Sequence, residues 1–133
     1  MMTFVGFTVT GTPVGQGSMR SPRAGVVLHS TDKLKGWREA VGWAAKEAMA
    51  GRALLQGPLY LQAWFHFAAP KSQPRRFGSK ATAPDLDKLL RAIGDALEGI
   101  VYANDAQIAR VSAEKRWVAR GDSGGAYVEV GPR

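Results

Sequence analysis

The sequence predicts an α/β (α+β) fold: one two-layer domain in which two helices pack on a small mixed β-sheet, in the order β(β)αβαββ. Three observations predict it. Apolar residues alternate with polar ones in several short runs, as strands require, and two longer segments repeat every three to four residues, as helices require. Between them stand clusters of glycine and proline that break regular structure. The 133 residues, 45% of them hydrophobic, suit a single domain over 1–133 with one core.

Phe4 to Thr10 is aromatic and β-branched and ends at Gly11, Pro13, Gly15 and Gly17, so it reads as a strand running into a turn region. Val26, Val27 and Leu28 suggest a short return strand. From Thr31 the period lengthens: Leu34, Trp37, Val41, Ala44, Ala45 and Ala48 share one helical face, with Ser30 or Thr31 as cap and Gly51 as terminator. Leu59 to Phe67 alternates with apolar groups on both sides, the pattern of an interior strand that Pro70 stops. The basic stretch at about 70–84 has no period and is expected to be a mobile loop. Asp85 to Glu98 forms a second helix whose Leu86, Leu89, Leu90, Ile93 and Leu97 line one face, and Gly99 ends it. Ala106 to Val118 and Ala126 to Val130 read as two strands joined as a hairpin through the glycine-rich segment 121–125.

Several functions are excluded or disfavoured. The chain has no cysteine, hence no disulfide, thiolate zinc site or cysteine nucleophile, and only two histidines, His29 and His66, each standing alone. A bound metal would rest on carboxylates. No apolar run is long enough to cross a membrane, and the start lacks an export signal, so a cytoplasmic, nucleoid-associated protein with no membrane partner is expected. The segment Gly11 to Ser18 lacks the lysine of a phosphate-binding loop, so no nucleotide cofactor is expected; Gln16, Ser18 and Arg20 are better placed to touch a DNA backbone.

The net charge of +7 is unevenly laid out. Residues 48–84 contain no acid and carry Arg52, Lys71, Arg75, Arg76 and Lys80, whereas residues 85–133 hold eight acids against seven bases. A basic stretch of this kind suits a polyanionic partner.

The second helix carries the chemistry. Its polar face bears Asp87, Arg91, Asp95 and Glu98, with Lys88 alongside and Asp85 at the N-cap position. An ordinary account exists: Asp85 caps the helix, Asp87 suits the helix dipole, and Asp87 pairs with Arg91 one turn on. Asp105 adds a third acid after the helix. Thirteen helical steps advance about 20 Å, and seven extended residues from Glu98 span about 23 Å, so Asp105 reaches Asp85 and Asp87 if the return runs nearly straight. Three carboxylates brought together need a hard cation, and oxygen-only ligation suits Mg²⁺. Such a site hydrolyses phosphodiesters, with Arg91 to steady phosphate charge.

The run Pro84-Asp85-Leu86-Asp87-Lys88-Leu89-Leu90-Arg91, then Asp95-Ala96-Leu97-Glu98-Gly99, Tyr102 and Asn104-Asp105-Ala106-Gln107-Ile108, resembles the signature of RusA-type Holliday junction resolvases. Some 25 residues match closely; the rest matches through element order and an early Gly11-Thr12-Pro13 turn. The resemblance implies a small homodimeric endodeoxyribonuclease of a bacterium or phage, dependent on Mg²⁺ (Mn²⁺ substituting), that cuts four-way junctions by paired symmetric incisions. It implies Asp85, Asp87 and Asp105 as catalytic metal ligands and Arg91 as the catalytic basic residue. Arg91 stands where the family usually has lysine, Asn104 where it has an acid, and Lys88 where asparagine is common. Lys71, Arg75, Arg76, Lys80, Lys88 and Arg20 are the expected DNA contacts, and Phe77 either anchors its loop or meets an unstacked base. Two rivals stay open: a nuclease for forks or flaps, and a non-catalytic basic DNA-binding module.

Overall fold

A computed structural model describes residues 4–17 and 24–133, of which 24–31 are described by backbone alone. The elements are β1 (Val5–Thr10), α1 (Ala24–Met49), β2 (Leu59–Ala68), β3 (Gly78–Ser79), α2 (Leu86–Leu97), β4 (Ile108–Val118) and β5 (Gly125–Pro132), with a 3₁₀ turn at Asp105–Gln107. They form the expected two layers: two helices against a five-stranded mixed sheet.

The sheet order is β1-β5-β2-β4-β3. β2 lies at its centre, antiparallel to β5 and parallel to β4. Its alternation has a direct reading, since Leu59, Leu61, Ala63, Phe65 and Phe67 are buried while Tyr60, Gln62, Trp64 and His66 are half-buried on the opposite face. The buried set joins Trp37, Val41, Ala45 and Met49 of α1 and Leu89, Ala92, Ile93 and Leu97 of α2 in one core. Parallel neighbours need a long crossover, and α2 provides it between β2 and β4. That requirement fixes α2 across the sheet and so places both its ends.

Three expectations are corrected. Val26 to Leu28 make no strand: α1 begins at Ala24 and runs through them. Extending a helix adds a hydrogen bond with each residue, whereas a three-residue strand needs a partner edge. β4 and β5 are not a hairpin, because β2 lies between them. The glycines at 124 and 125 serve a crossing instead. A Cβ on Gly125, whose φ is +151°, would collide with the Val9 carbonyl oxygen, and one on Gly124 would stand 3.0 Å from that of His66. The basic stretch, finally, is not wholly irregular. β3 within it pairs with β4, and the Arg120 N–H donates to the Pro74 carbonyl at 2.8 Å.

Trp37 is buried as expected, but Trp43 is 70% exposed, outside the core. No helix among the described residues is long and apolar enough to cross a membrane.

Candidate functional site

Helix α2 starts where its pattern predicts, with Asp85 as N-cap residue in extended conformation and the Leu89 N–H bonded to its carbonyl. The ordinary account of its acids fails on two counts. The Asp85 side chain makes no cap hydrogen bond, and among the described residues no ion pair joins Asp87 to Arg91. Asp85, Asp87 and Arg91 are all exposed. The salt bridge that does form links Asp85 Oδ2 to Lys88 Nζ at 3.6 Å, a surface pair worth well under about 1 kcal/mol. What remains to these carboxylates within the helix is the favourable end of its dipole and the surface pair with Lys88.

Asp105 is not beside them. The return from α2 is a tight turn rather than a straight run: the Ile100 and Val101 N–H groups both bond the Leu97 carbonyl, and the Gly99 N–H bonds that of Tyr102 at 2.7 Å. The turn leaves Asp105 at the other end of the helix, its N–H donating to Glu98 Oε2 at 2.9 Å, about 20 Å along the axis from Asp85. Asn104 and Gln107 lock it there with reciprocal capping bonds. Among the described residues no three acids or histidines lie close enough together to hold a metal. Chain length permitted the contact, but local hydrogen bonding takes the chain elsewhere.

The Asp105 end carries acids around a buried phenol. Tyr102 is fully buried, donates to the Gly94 carbonyl at 2.8 Å, and is pushed well above the ordinary tyrosine range by burial first and then by Asp105, Glu98 and Asp95.

The basic residues divide into two groups. Lys71, Arg75 and Arg76 are exposed, Arg76 bonding Gln73 Oε1 at 2.6 Å and lying 5.3 Å from the Trp117 ring. Lys80, expected among the DNA contacts, is 8% exposed instead. Its ammonium donates to Thr82 O, Thr82 Oγ1 and Ala83 O and rests on the rings of Trp117 and Phe67 at 4.6 and 5.0 Å. Burial, then Lys115 and Arg76, lowers its pKa below the ordinary lysine value. Phe77 is 80% exposed, so it anchors nothing. Arg20 and Ser18 fall outside the described residues.

Two further parts of the site were not foreseen. Lys115 on β4 donates to Thr82 O and Pro84 O, each at 2.6 Å, directly ahead of Asp85. A lysine that acts on carbonyls leaves no spacing signal in a sequence. Residues 15–17 also lie along α2. The Gln16 N–H bonds the Lys88 carbonyl, and the Gln16 side-chain amide donates to Asp95, so Gln16 is engaged within the fold rather than free for DNA. Gly15 packs closely there: a Cβ would stand 3.0 Å from that of Lys88, so a larger residue would have to push the helix side chain aside.

Exposed acids opening a helix, flanked by basic side chains, form an arrangement suited to an enzyme of nucleic-acid phosphodiesters. Residues 10–130 match the family described as "Endodeoxyribonuclease RusA". The chain belongs to that family of DNA endonucleases. It is also 27% identical over 126 residues to a protein of Bacillus subtilis strain 168 described as "Uncharacterized protein YqaN", covering 86% of this chain and 88% of that one.

Proposed function

We propose that the protein is a homodimeric, Mg²⁺-dependent endonuclease that resolves four-way DNA junctions by paired symmetric phosphodiester hydrolysis. The observation that carries this reading, given the family, is the exposed Asp85–Asp87 pair, which neither caps its helix nor pairs with Arg91. Mg²⁺ is commonly held by one or two carboxylates and several waters, and Asp85 and Asp87 would be the carboxylates here. Bound there, the ion would supply Lewis-acid polarisation of the phosphoryl oxygen and lower the pKa of water.

The protein's own groups do the remainder. Arg91, one turn beyond Asp87, holds a non-bridging phosphate oxygen as charge develops on it. Lys71, Arg75, Arg76 and Lys88 bind the backbone of the junction arms and offset the repulsion between carboxylates and DNA. Phe77, exposed amid arginines, stacks on a base freed at the branch point.

The separation of Asp105 from Asp85 supports a site shared between subunits. In a two-fold dimer with α2 helices antiparallel, Asp105 of the partner subunit completes the acid set of Asp85 and Asp87, and the symmetry gives two equivalent sites for paired cuts. Mixing subunits tests this. Asp87→Asn and Asp105→Asn homodimers should each bind a synthetic junction in Mg²⁺ without cutting it. A mixed dimer then rebuilds one intact site if the acids meet across the interface, and nicks one strand. No nicking by mixed dimers, with active wild type, would place all three acids in one subunit, and cleavage by the Asp105→Asn homodimer would retire Asp105 from the site.

A further inference from the structure

The stretch between β3 and α2 contains three consecutive carbonyls, of Thr82, Ala83 and Pro84, that all accept hydrogen bonds from lysine ammonium groups. Lys80 takes Thr82 and Ala83; Lys115 takes Thr82 and Pro84. The two lysines are themselves in register, since the Lys80 N–H donates to the Lys115 carbonyl at 3.0 Å. Lys80 is held further by the faces of Phe67 and Trp117. Both lysines thus stand on the sheet and grip the segment whose next residue is Asp85.

Surface lysines rarely accept such confinement. Their flexible stems carry much rotamer entropy, and two ammonium groups close together repel. Charge-assisted bonds to carbonyls offset both costs, and what they fix is the position and direction with which the chain enters α2. Asp85 has no cap bond and only a surface pair with Lys88 to hold its side chain, so its placement depends chiefly on this backbone.

We propose that Lys115, seconded by Lys80, is a positioning residue for phosphodiester cleavage: its ammonium, through Thr82 and Pro84, sets where Asp85 and Asp87 stand. The proposal rests on the nuclease reading above. Lys115 touches neither acid, and it acts through the backbone that presents them.

The test uses the full chain with Lys115→Met and Lys115→Arg. Hydrogen exchange at the amides of residues 89–92, the first hydrogen-bonded ones of α2, should, without DNA or metal, quicken about tenfold or more in Lys115→Met and stay near wild type in Lys115→Arg, whose fork also reaches two carbonyls. Single-turnover cleavage of a synthetic four-way junction in Mg²⁺ should fall about 10- to 100-fold in Lys115→Met, the scale set by misplacing a reacting group by about 1 Å. The junction Kd, measured in Ca²⁺, should stay within about twofold, and Lys115→Arg should recover most of the rate. A loss confined to Kd would make Lys115 a phosphate contact and overturn the proposal. So would an unchanged rate in Lys115→Met, or an arginine variant no better than methionine. Should the wild type cut no junction, the nuclease reading fails by itself, and unchanged exchange in Lys115→Met still overturns the clamp.

Discussion

The two ends of α2 are built on opposite plans. At the first, the acids Asp85 and Asp87 are exposed, the dipole favours their charge, and Lys88, Lys80 and Lys115 surround the entry. At the second, Asp95, Glu98 and Asp105 gather around buried Tyr102, where the dipole opposes negative charge. No basic side chain lies in the last turn to relieve them. The first end draws its positive charge from α2 and the segments leading into it, whereas the second has bases only across the groove on α1, where Lys35, Arg38 and Lys46 line it with Asp95. Charge is thus laid out unevenly along α2 itself.

The largest expected effect on this contrast comes from Asp87→Asn. Junction cleavage should fall at least about 100- to 1,000-fold with binding retained, read by single-turnover kinetics beside a gel-shift titration. Retained cleavage would strip the first end of its role. Next is Tyr102→Phe, which removes the bond to Gly94 and should cost about 1 kcal/mol, seen as a drop of roughly 4 °C in melting temperature.

The same substitution sharpens a pH effect. Tyr102 ionises near the ordinary tyrosine value of 10.0 when unfolded but at a higher pH when folded, so the unfolded chain loses protons first and stability falls as pH rises above that value. Tyr60, pushed up to about 12 by burial and Glu129, acts in the same direction. Denaturant titrations above pH 10.0 should therefore show a shallower fall in Tyr102→Phe than in wild type, though not a flat one.

Two smaller effects complete the contrast. Alanine at Lys71 and Arg75 together should weaken junction binding and lower the slope of log K against log salt by about 1 to 2, roughly 0.9 for each phosphate no longer neutralised. Smallest is Glu98→Gln, which removes an anion facing the wrong end of the dipole while keeping an acceptor for the Asp105 N–H, and should raise the melting temperature by about 1 to 2 °C. A decrease would show that the second end already finds its positive charge within the subunit.

Most of the fold was legible because periodicity reports burial directly. Leu59 to Phe67 and Leu86 to Leu97 had to face a core, and they do. What the pattern did not report was neighbourhood. Segment 121–125 has the composition of a hairpin, yet turn chemistry is local, and the choice of β2 as neighbour to both β4 and β5 depends on the whole sheet. Asp85 and Asp87 were legible as exposed acids opening α2, because their spacing is itself the signal. Asp105 was legible as a residue but not in its position, since chain length bounds a distance without choosing the path. Lys80 and Lys115 were misread or missed because their partners are backbone carbonyls, which every sequence has.

The sheet order also determines when the domain can form. Among the described residues β1 pairs with β5 alone, so this first described strand of the sheet waits unpartnered until Gly125–Pro132 has left the ribosome. Until then Val5, Phe7 and Val9 have no strand beside them, and no nascent fragment ending before Gly125 holds a finished sheet. An enzyme that severs DNA thus completes its scaffold only when synthesis has passed the acids, the clamp and the crossing glycines alike.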